Sequence, residues 1–549
     1  MIESSLPAPA FSGFSRNLRA DMTSGFLVFL IALPLCLAIS LASGFPATAG
    51  VFSAIVGGLV TPWISNSELT IKGPAAGMIA IVLGCVLELG GGMSAEPEAA
   101  LRAQQLTLGI CVVAGLIQVG AALLRSGFIS DLFPTAAVHG MLAAIGVIIL
   151  AKQSHMVLGV TPHGKEPLHL LAEIPSSIMK ANPEIAVIGV LSLILLFTWP
   201  LVKIAALKRI PGQILVLALA IPLGLLFDLD HTHTYSFAGA QHEISSKFLV
   251  NVPGSILNAI MRPDFSAVLT PVGMKWIVMF TLIGSLESLL SAKAVDVLDP
   301  MRRKTDINRD LLAVGTANTL VAFIGGIPMI SEIVRSKANI DNGARSRFAN
   351  MFHGLFLLIL VATLPMLIHK IPLAALAAML VYTGFRLAHP REFIHMYRIG
   401  PEQLLVFAGT MIGVLMTDLL VGVFIGLGLQ ILVHCFSGVS MASFFKSGVE
   451  VEELDDTTTC IRVNNSAVFS TWIGLNKAVM AVSPDRIVVL DLSAARVVDH
   501  STMEKLHALQ EDFQHVGRTL RLVGLDEHRG LSKHPLATRL KDATLSAKA

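Results

Sequence analysis

Two short stretches of this sequence put glycine and proline where an apolar helix should continue. One is Ile71-Lys72-Gly73-Pro74-Ala75-Ala76-Gly77-Met78, which opens an apolar run ending near Leu89. The other is Gly325-Gly326-Ile327-Pro328-Met329-Ile330-Ser331-Glu332-Ile333-Val334-Arg335. Each resumes as a helical run too short to cross a bilayer alone. A helix that starts at mid-membrane leaves its first N–H groups unpaired and the positive end of its dipole exposed. Two such starts facing one another make a site for an anion. Ordinary helices merely kinked by Gly-Pro are the plainer reading. Matched positions in two halves of a chain argue for a transport site instead.

Charge near these stretches sharpens the expectation. Glu287 lies inside the apolar run Thr281-Leu282-Ile283-Gly284-Ser285-Leu286-Glu287-Ser288-Leu289-Leu290. An ionised group there is expensive and needs a partner or a task. Glu332 and Arg335 are three apart and can neutralise each other on one helix. Glu287 has no such neighbour; Lys293 is six residues on. A carboxylate beside an anion repels it unless protonated or cation-bound. Glu287, with Glu332, is therefore the candidate carrier of a coupling H+ or Na+. Asp228, Asp230, His231 and His233 have metal-ligand types but read as solvated loop residues, and no metal is assigned. His139 and His353 read as packing residues at helix ends. The sequence has no Walker A loop, no nucleophile–base pair and no zinc triad, so neither an ATP-driven pump nor an enzyme is expected.

The elements that must hold these residues are membrane helices. The 549 residues are 54% hydrophobic and only 14% charged, against roughly 25% charged in a soluble domain. Runs near the ~20-residue spanning length fall at 24–43, 48–65, 106–124, 135–151, 184–201, 211–228, 275–292, 349–369 and 402–437. The last is nearly two spans, expected to turn near Asp418. Shorter broken pieces near 73–90, 310–325, 328–340 and 371–385 bring the count to ~14. Arg125, Lys203, Lys208, Arg209, Arg302, Arg303, Lys304, Arg309, Arg345, Arg347, Arg386, Arg391 and Arg398 all fall in alternate loops. That asymmetry puts both termini in the cytoplasm of a bacterial inner membrane. The first run is as long as a span and is not a cleavable signal. The cysteines show no metal spacing and are expected as free thiols.

Beyond about residue 445 the long apolar runs cease. Arg486–Leu492 reads as a buried strand, Ser501–Val516 as a helix with Met503, Leu506, Leu509 and Phe513 on one stripe, and Arg518–Leu525 as another strand. This order argues for a small α/β domain.

In this order the motifs resemble the SulP family of anion transporters. Asp21-Met22-Thr23-Ser24-Gly25 with Ala32-Leu33-Pro34 and Gly44-Phe45-Pro46 resembles its opening helix. Lys72 to Gly77, Glu287-Ser288-Leu289-Leu290 and Thr417-Asp418-Leu419-Leu420-Val421-Gly422 resemble its third-helix, eighth-helix and Thr-Asp-Leu motifs. Ile487–Ser493 with Val497-Val498-Asp499-His500-Ser501-Thr502 resembles a STAS domain. Stand-alone STAS proteins carry a phosphorylatable Ser where this chain has His500; Ser501 is adjacent. The resemblance implies an α-helical polytopic membrane protein of about 14 helices in 7+7 inverted repeats, core and gate, and a homodimer. The corresponding division is a cytosolic segment 1–20, a transporter domain 21–440 with repeats 21–230 and 270–440, and a STAS domain 450–549. Members of that family carry sulfate, bicarbonate, chloride or dicarboxylates, and the substrate expected here is a small inorganic anion of the sulfate or bicarbonate class. It would be held by Ala75, Ala76, Gly77, Ser331, Glu332 and Ile333, with Glu287 beside them and Arg335 acting electrostatically. Glu332 stands where the family commonly has small or hydroxyl residues, and Val334 replaces a frequent Ser, which leans towards bicarbonate-type members. Two rivals stand: a nucleobase–cation symporter of similar fold, and a membrane-anchored STAS regulator. No cofactor and no nucleic-acid partner are expected.

Overall fold

A computed structural model of the chain describes residues 12–90, 96–162, 164, 166–203, 210–237, 240–251, 256–363, 365–446 and 448–542. Residues 1–11 of the expected N-terminal segment, and Lys208 and Arg209, lie outside these. The first half runs α1 (Ser12–Ala42), α2 (Ala47–Ile64), β1 (Ile71–Gly73), α3 (Ile79–Glu88), α4 (Pro97–Leu123), α5 (Thr135–Val157), α6 (Pro167–Met179), α7 (Pro183–Thr198) and α8 (Gly212–Leu226). A hairpin, β2 (His233–Phe237) and β3 (Ala240–Ile244), follows in the polar stretch between the halves. The second half runs α9 (Pro271–Leu298), α10 (Ile307–Phe323), β4 (Ile330–Glu332), α11 (Ile333–Asp341), α12 (Phe348–Thr363), α13 (Pro365–His369), α14 (Leu373–Leu387), α15 (Pro390–Ile399), α16 (Pro401–Met416) and α17 (Leu419–Phe436).

Among the described residues seven helices are long and apolar enough to cross a membrane, with shorter apolar helices between them. The two halves repeat one plan. Each opens with two continuous helices, then a three-residue strand leading into a short helix, then four more membrane helices: α4, α5, α7 and α8 in one, α12, α14, α16 and α17 in the other. Local sequence sets the boundaries. Proline occupies the first turn of α4, α7, α9 and α16, where its missing N–H is harmless. Asp306 caps α10 by accepting from the amides of Asn308 and Arg309. Asp418 caps α17 through the Val421 amide, so the long run from 402 to 437 breaks where its acid lies. The amphipathic helices α6 and α15 and the β2–β3 hairpin carry too little apolar character to register as spans.

The chain divides into two compact units, 1–127 with 145–387 and 128–144 with 388–549. The first contains the paired strands. In the second, α16, α17 and the start of α5 are joined to the C-terminal domain. That domain consists of β5 (Val449–Glu453), β6 (Thr458–Val463), α18 (Trp472–Ala481), β7 (Ile487–Asp491), β8 (Val497–Val498), α19 (His500–His515), β9 (Leu520–Val523), β10 (His528–Gly530) and β11 (Arg539–Lys541). Its main sheet has the order β5-β6-β7-β9, with β5 antiparallel and the rest parallel. Ile461, Leu475, Val479, Val488, Leu490, Leu506 and Phe513 form its core. This architecture fits a STAS domain. The acidic stretch at 449–456 is in part a sheet edge, its charges suited to a strand that must not pair further.

Within the second unit the domain is held against the last membrane helix by a buried pair. His434 Nε2 lies 3.1 Å from Asp499 Oδ2, and both side chains are fully buried. The amides of Phe469 and Thr502 donate to the same carboxylate at 2.7 and 2.8 Å. Burial alone would push the Asp499 carboxyl up. The His434 bond and charge and the two amides outweigh it and hold the group below the ordinary aspartate range. Around it Lys505 donates to the Asp131 carbonyl at 2.9 Å, and Ser501 Oγ accepts from the Thr135 amide at 3.1 Å. His500 bonds the Leu536 carbonyl at 2.8 Å. Both His500 and Ser501 are buried, so neither is presented for phosphorylation in this arrangement.

Replacing Asp499 by Ala should destabilise the protein by roughly 3 kcal/mol at neutral pH, because it strands a buried histidine. A depressed folded-state pKa stabilises above the unfolded aspartate range and loses that contribution as pH falls through the lower folded value. The unfolding temperature of wild type should therefore converge on that of Asp499→Ala as the buffer is taken into the acid range.

Candidate functional site

β1 and β4 pair antiparallel, with Ile71 opposite Glu332, Lys72 opposite Ser331 and Gly73 opposite Ile330. Pro74 and Pro328 flank them, and each strand leads directly into a short helix, through the 3-10 turn Ala76–Met78 into α3 and at Glu332 into α11. The two interruptions, far apart in sequence, are thus side by side at 71–73 and 330–332. No side chain caps the start of either helix, so each half-helix begins with orphan N–H groups at its own end of the strand pair.

A strand broken open inside a bilayer has to satisfy its amides locally. The neighbouring helices supply the partners. The Ile71 amide donates to Ser336 Oγ at 2.8 Å, the Lys72 amide to Asn350 Oδ1 at 3.3 Å, the Met329 amide to Asn318 Oδ1 at 2.7 Å and the Ser331 amide to Ser288 Oγ at 3.0 Å. Asn339 Nδ2 reaches the Leu69 carbonyl at 3.0 Å. Close approach also demands small residues. A Cβ on Gly57 of α2 would stand 2.9 Å from the Lys72 carbonyl.

Beneath the strands lies a charge pair that the residue spacing does not announce. Lys72 Nζ meets Asp310 Oδ1 at 2.6 Å, with both side chains essentially unexposed. Thr70 and Ser331 accept from the same ammonium at 2.9 and 2.6 Å. Ser331 Oγ donates to Asp310 Oδ2 at 3.1 Å and Ser65 Oγ to Oδ1 at 2.6 Å. Asp310 joins β1 of one half to β4 and α10 of the other. It reads in sequence as a first-turn acid of a helix, and nothing in spacing links it to a lysine 238 residues earlier.

The candidate residues fall into place around this frame. Ala75 and Ala76 are buried at the entry to α3. Gly77 lies against Glu287 of α9, and a Cβ there would stand 2.2 Å from Glu287 Oε1. Glu287 is buried and neither of its oxygens has a hydrogen-bond partner among the described residues. Glu332 Oε2 is 3.0 Å from Arg335 Nε, the neutralising pair expected from their spacing, and stands within electrostatic range of Glu287. Arg335 is fully buried, donating through Nη2 to the Pro74 carbonyl and through Nη1 to Cys36 Sγ at 3.5 Å. It thereby ties α11 to the turn that opens α3. Ser331 sits at the site, but its hydroxyl and its amide are both engaged in the network above. Ile333, in contrast, is 41% exposed at the first turn of α11.

Of the two histidines read from sequence as packing residues at helix ends, one is packed in the core and the other is not. His353 is not at a helix end but inside α12, fully buried, with neither ring nitrogen hydrogen-bonded among the described residues. His139 faces Glu392 at 3.5 Å, half-exposed. His231 bonds Asp228 at 2.7 Å in the polar loop, where the carboxylate raises its pKa. All five cysteines are free.

The sequence profile of the sulfate permease family matches residues 18–410. A putative sulfate transporter of Bacillus subtilis, YvdB, is 26% identical over 420 residues, covering 76% of this chain and 74% of that protein. Among solved structures, the transmembrane domain of a cyanobacterial bicarbonate transporter, BicA, superposes with a TM-score of 0.60 at 22% identity, over 75% of this chain and 98% of that one. The overall structure of SLC26A9 gives a TM-score of 0.67 at 15% identity, over 93% and 85%. The last likeness extends past α17 into the C-terminal domain.

Replacing Asp310 by Ala should leave a buried ammonium unpaired and destabilise the protein by about 3–5 kcal/mol. The double replacement Lys72→Met with Asp310→Leu should recover a large part of that loss. Thermal unfolding of the single and double variants in lipid nanodiscs measures the coupling.

Proposed function

Because the chain belongs to the sulfate permease family, we propose that it is a secondary active transporter of small inorganic anions of the sulfate or bicarbonate class, coupled to H+ or Na+ by alternating access. The observation that carries the coupling is Glu287: a buried carboxylate with no hydrogen-bond partner among the described residues, against Gly77 at the uncapped start of the α3 half-helix.

The charge count at the site supports the same reading. Glu332 pairs with the Arg335 guanidinium and stands within electrostatic range of Glu287, while Lys72 and Asp310 neutralise each other. With Glu332 matched to Arg335, Glu287 leaves the set one negative charge in excess, which the two helix starts only partly offset. An anion entering such a site is repelled unless a cation enters with it. A proton or Na+ on Glu287 removes the repulsion, and the anion then lies at the amide ends with Ala75, Ala76, Gly77, Glu332 and Ile333 around it. Arg335 holds the two half-helices in register and supplies positive potential. Ser331 shapes the site through its bonds to Lys72 and Asp310.

Such a transporter requires a bilayer, and the Lys and Arg placement argues for cytoplasmic termini in a bacterial plasma membrane. A homodimer belongs to the proposal through the family resemblance. Family membership sets aside the nucleobase symporter.

In proteoliposomes, uptake of labelled sulfate or bicarbonate should rise with an inward H+ or Na+ gradient. Glu287→Gln should reduce gradient-driven uptake by roughly tenfold or more and abolish its dependence on the cation. Undiminished, still cation-dependent uptake in that variant overturns the coupling role. Absence of oxyanion movement by wild type under either gradient would favour a regulator whose spans only sense.

A further inference from the structure

A second place in the first unit has the features of a site for a charged ligand; it lies against the C-terminal end of α3 and shares no lining residue with the paired strands or with Ala75, Ala76, Gly77, Glu287 and Glu332. A cavity of about 540 Å³ opens between the ends of α1, α3 and α4 and the facing parts of α5 and α14. Its wall is largely aliphatic, with Leu41, Leu83, Val86, Met156, Leu376 and Leu380 among the lining residues. Into this wall α5 brings one cation, Lys152.

The Lys152 ammonium has three donors, and the structure gives it one bond, to the Ala42 carbonyl at the end of α1, at 3.2 Å. Among the described residues no carboxylate pairs with it and no charged side chain acts on it electrostatically. The amide of the next residue, Gln153, also lines the cavity and finds no hydrogen-bond partner among the described residues, although the residue is buried. Gln104, the other lining amide, is used on the Gly44 carbonyl at 2.8 Å. An unneutralised ammonium against aliphatic surface is costly unless an anion joins it.

Size and lining select the ligand. A bare oxyanion fills a small part of this volume and would leave its remaining hydration to leucine and valine side chains. Cavities of roughly 300–1,000 Å³ with apolar walls and a few placed polar groups suit organic molecules of moderate size. We propose that this cavity binds an aliphatic monocarboxylate of medium chain length, its carboxylate on Lys152 Nζ and the Gln153 amide and its chain along the leucines of α1, α3 and α14.

Equilibrium binding of radiolabelled decanoate to the full chain in lipid nanodiscs tests this directly. Wild type should bind saturably, and unlabelled decanol, which has the chain without the charge, should not displace the label. Lys152→Gln should weaken binding roughly tenfold or more, the loss of one charge-assisted hydrogen bond, whereas Lys152→Arg should keep it within a few-fold. Ala377→Phe, which fills the cavity from α14, should abolish it. Displacement by decanol as effective as by decanoate, or unchanged affinity in Lys152→Gln, overturns the proposal. The decanol competition uses wild type and decides the matter even if a variant fails to fold.

Discussion

A polypeptide interrupted inside a bilayer has nowhere to send its amides except to other parts of the same protein. In this chain two interruptions, one from each half, answer each other as a three-residue antiparallel strand pair. Lys72 and Asp310 close that pair from beneath. Much of the membrane core follows from this arrangement: polar side chains at Ser288, Asn318, Ser336, Asn339 and Asn350 sit in helices that would otherwise be free to be apolar. Small residues at Gly57, Gly73 and Gly77 let backbone and charged groups approach to distances no larger residue permits. Breaking both helices near the same depth creates amide ends that can hold a negative solute, and the same break creates the need for the network that surrounds it.

Charge is distributed accordingly. Lys72 with Asp310 and Arg335 with Glu332 are internally balanced and act as fasteners. Glu287 is the group left over, and its neighbour is a glycine whose missing side chain makes the room. The division separates residues that build the frame from those available to ligands. Ser331 is instructive here, because its position in the resemblance to SulP transporters suggested contact with substrate while its atoms are committed to the frame.

Much of this was legible in the residues. Glycine and proline within short apolar runs marked both interruptions, Asp418 marked the turn between the last two spans, and the Glu332–Arg335 spacing foretold their pairing. What was not legible depends on distance along the chain. Asp310 looks like any acid in the first turn of a helix until folding sets it beside Lys72. The strand pairing of 71–73 with 330–332 has no local signature, since three residues are too few to show alternation. Helices α6 and α15 were missed because their amphipathic pattern is neither a span nor a turn. In the C-terminal domain α18 was passed over although Trp472, Leu475 and Val479 carry its buried stripe. His353 was misplaced because the start of its helix, at Phe348, carries no proline to mark it in the sequence.

The buried contact between His434 and Asp499 has a bearing on how such chains can be recombined. The obvious seam lies in the polar stretch after α17, yet a cut there would separate a histidine in one parent from the aspartate that answers it in another. Hybrids between relatives would hold together only when the final helix travels with the domain that follows it, so the smallest exchangeable piece is larger than the domain outline suggests.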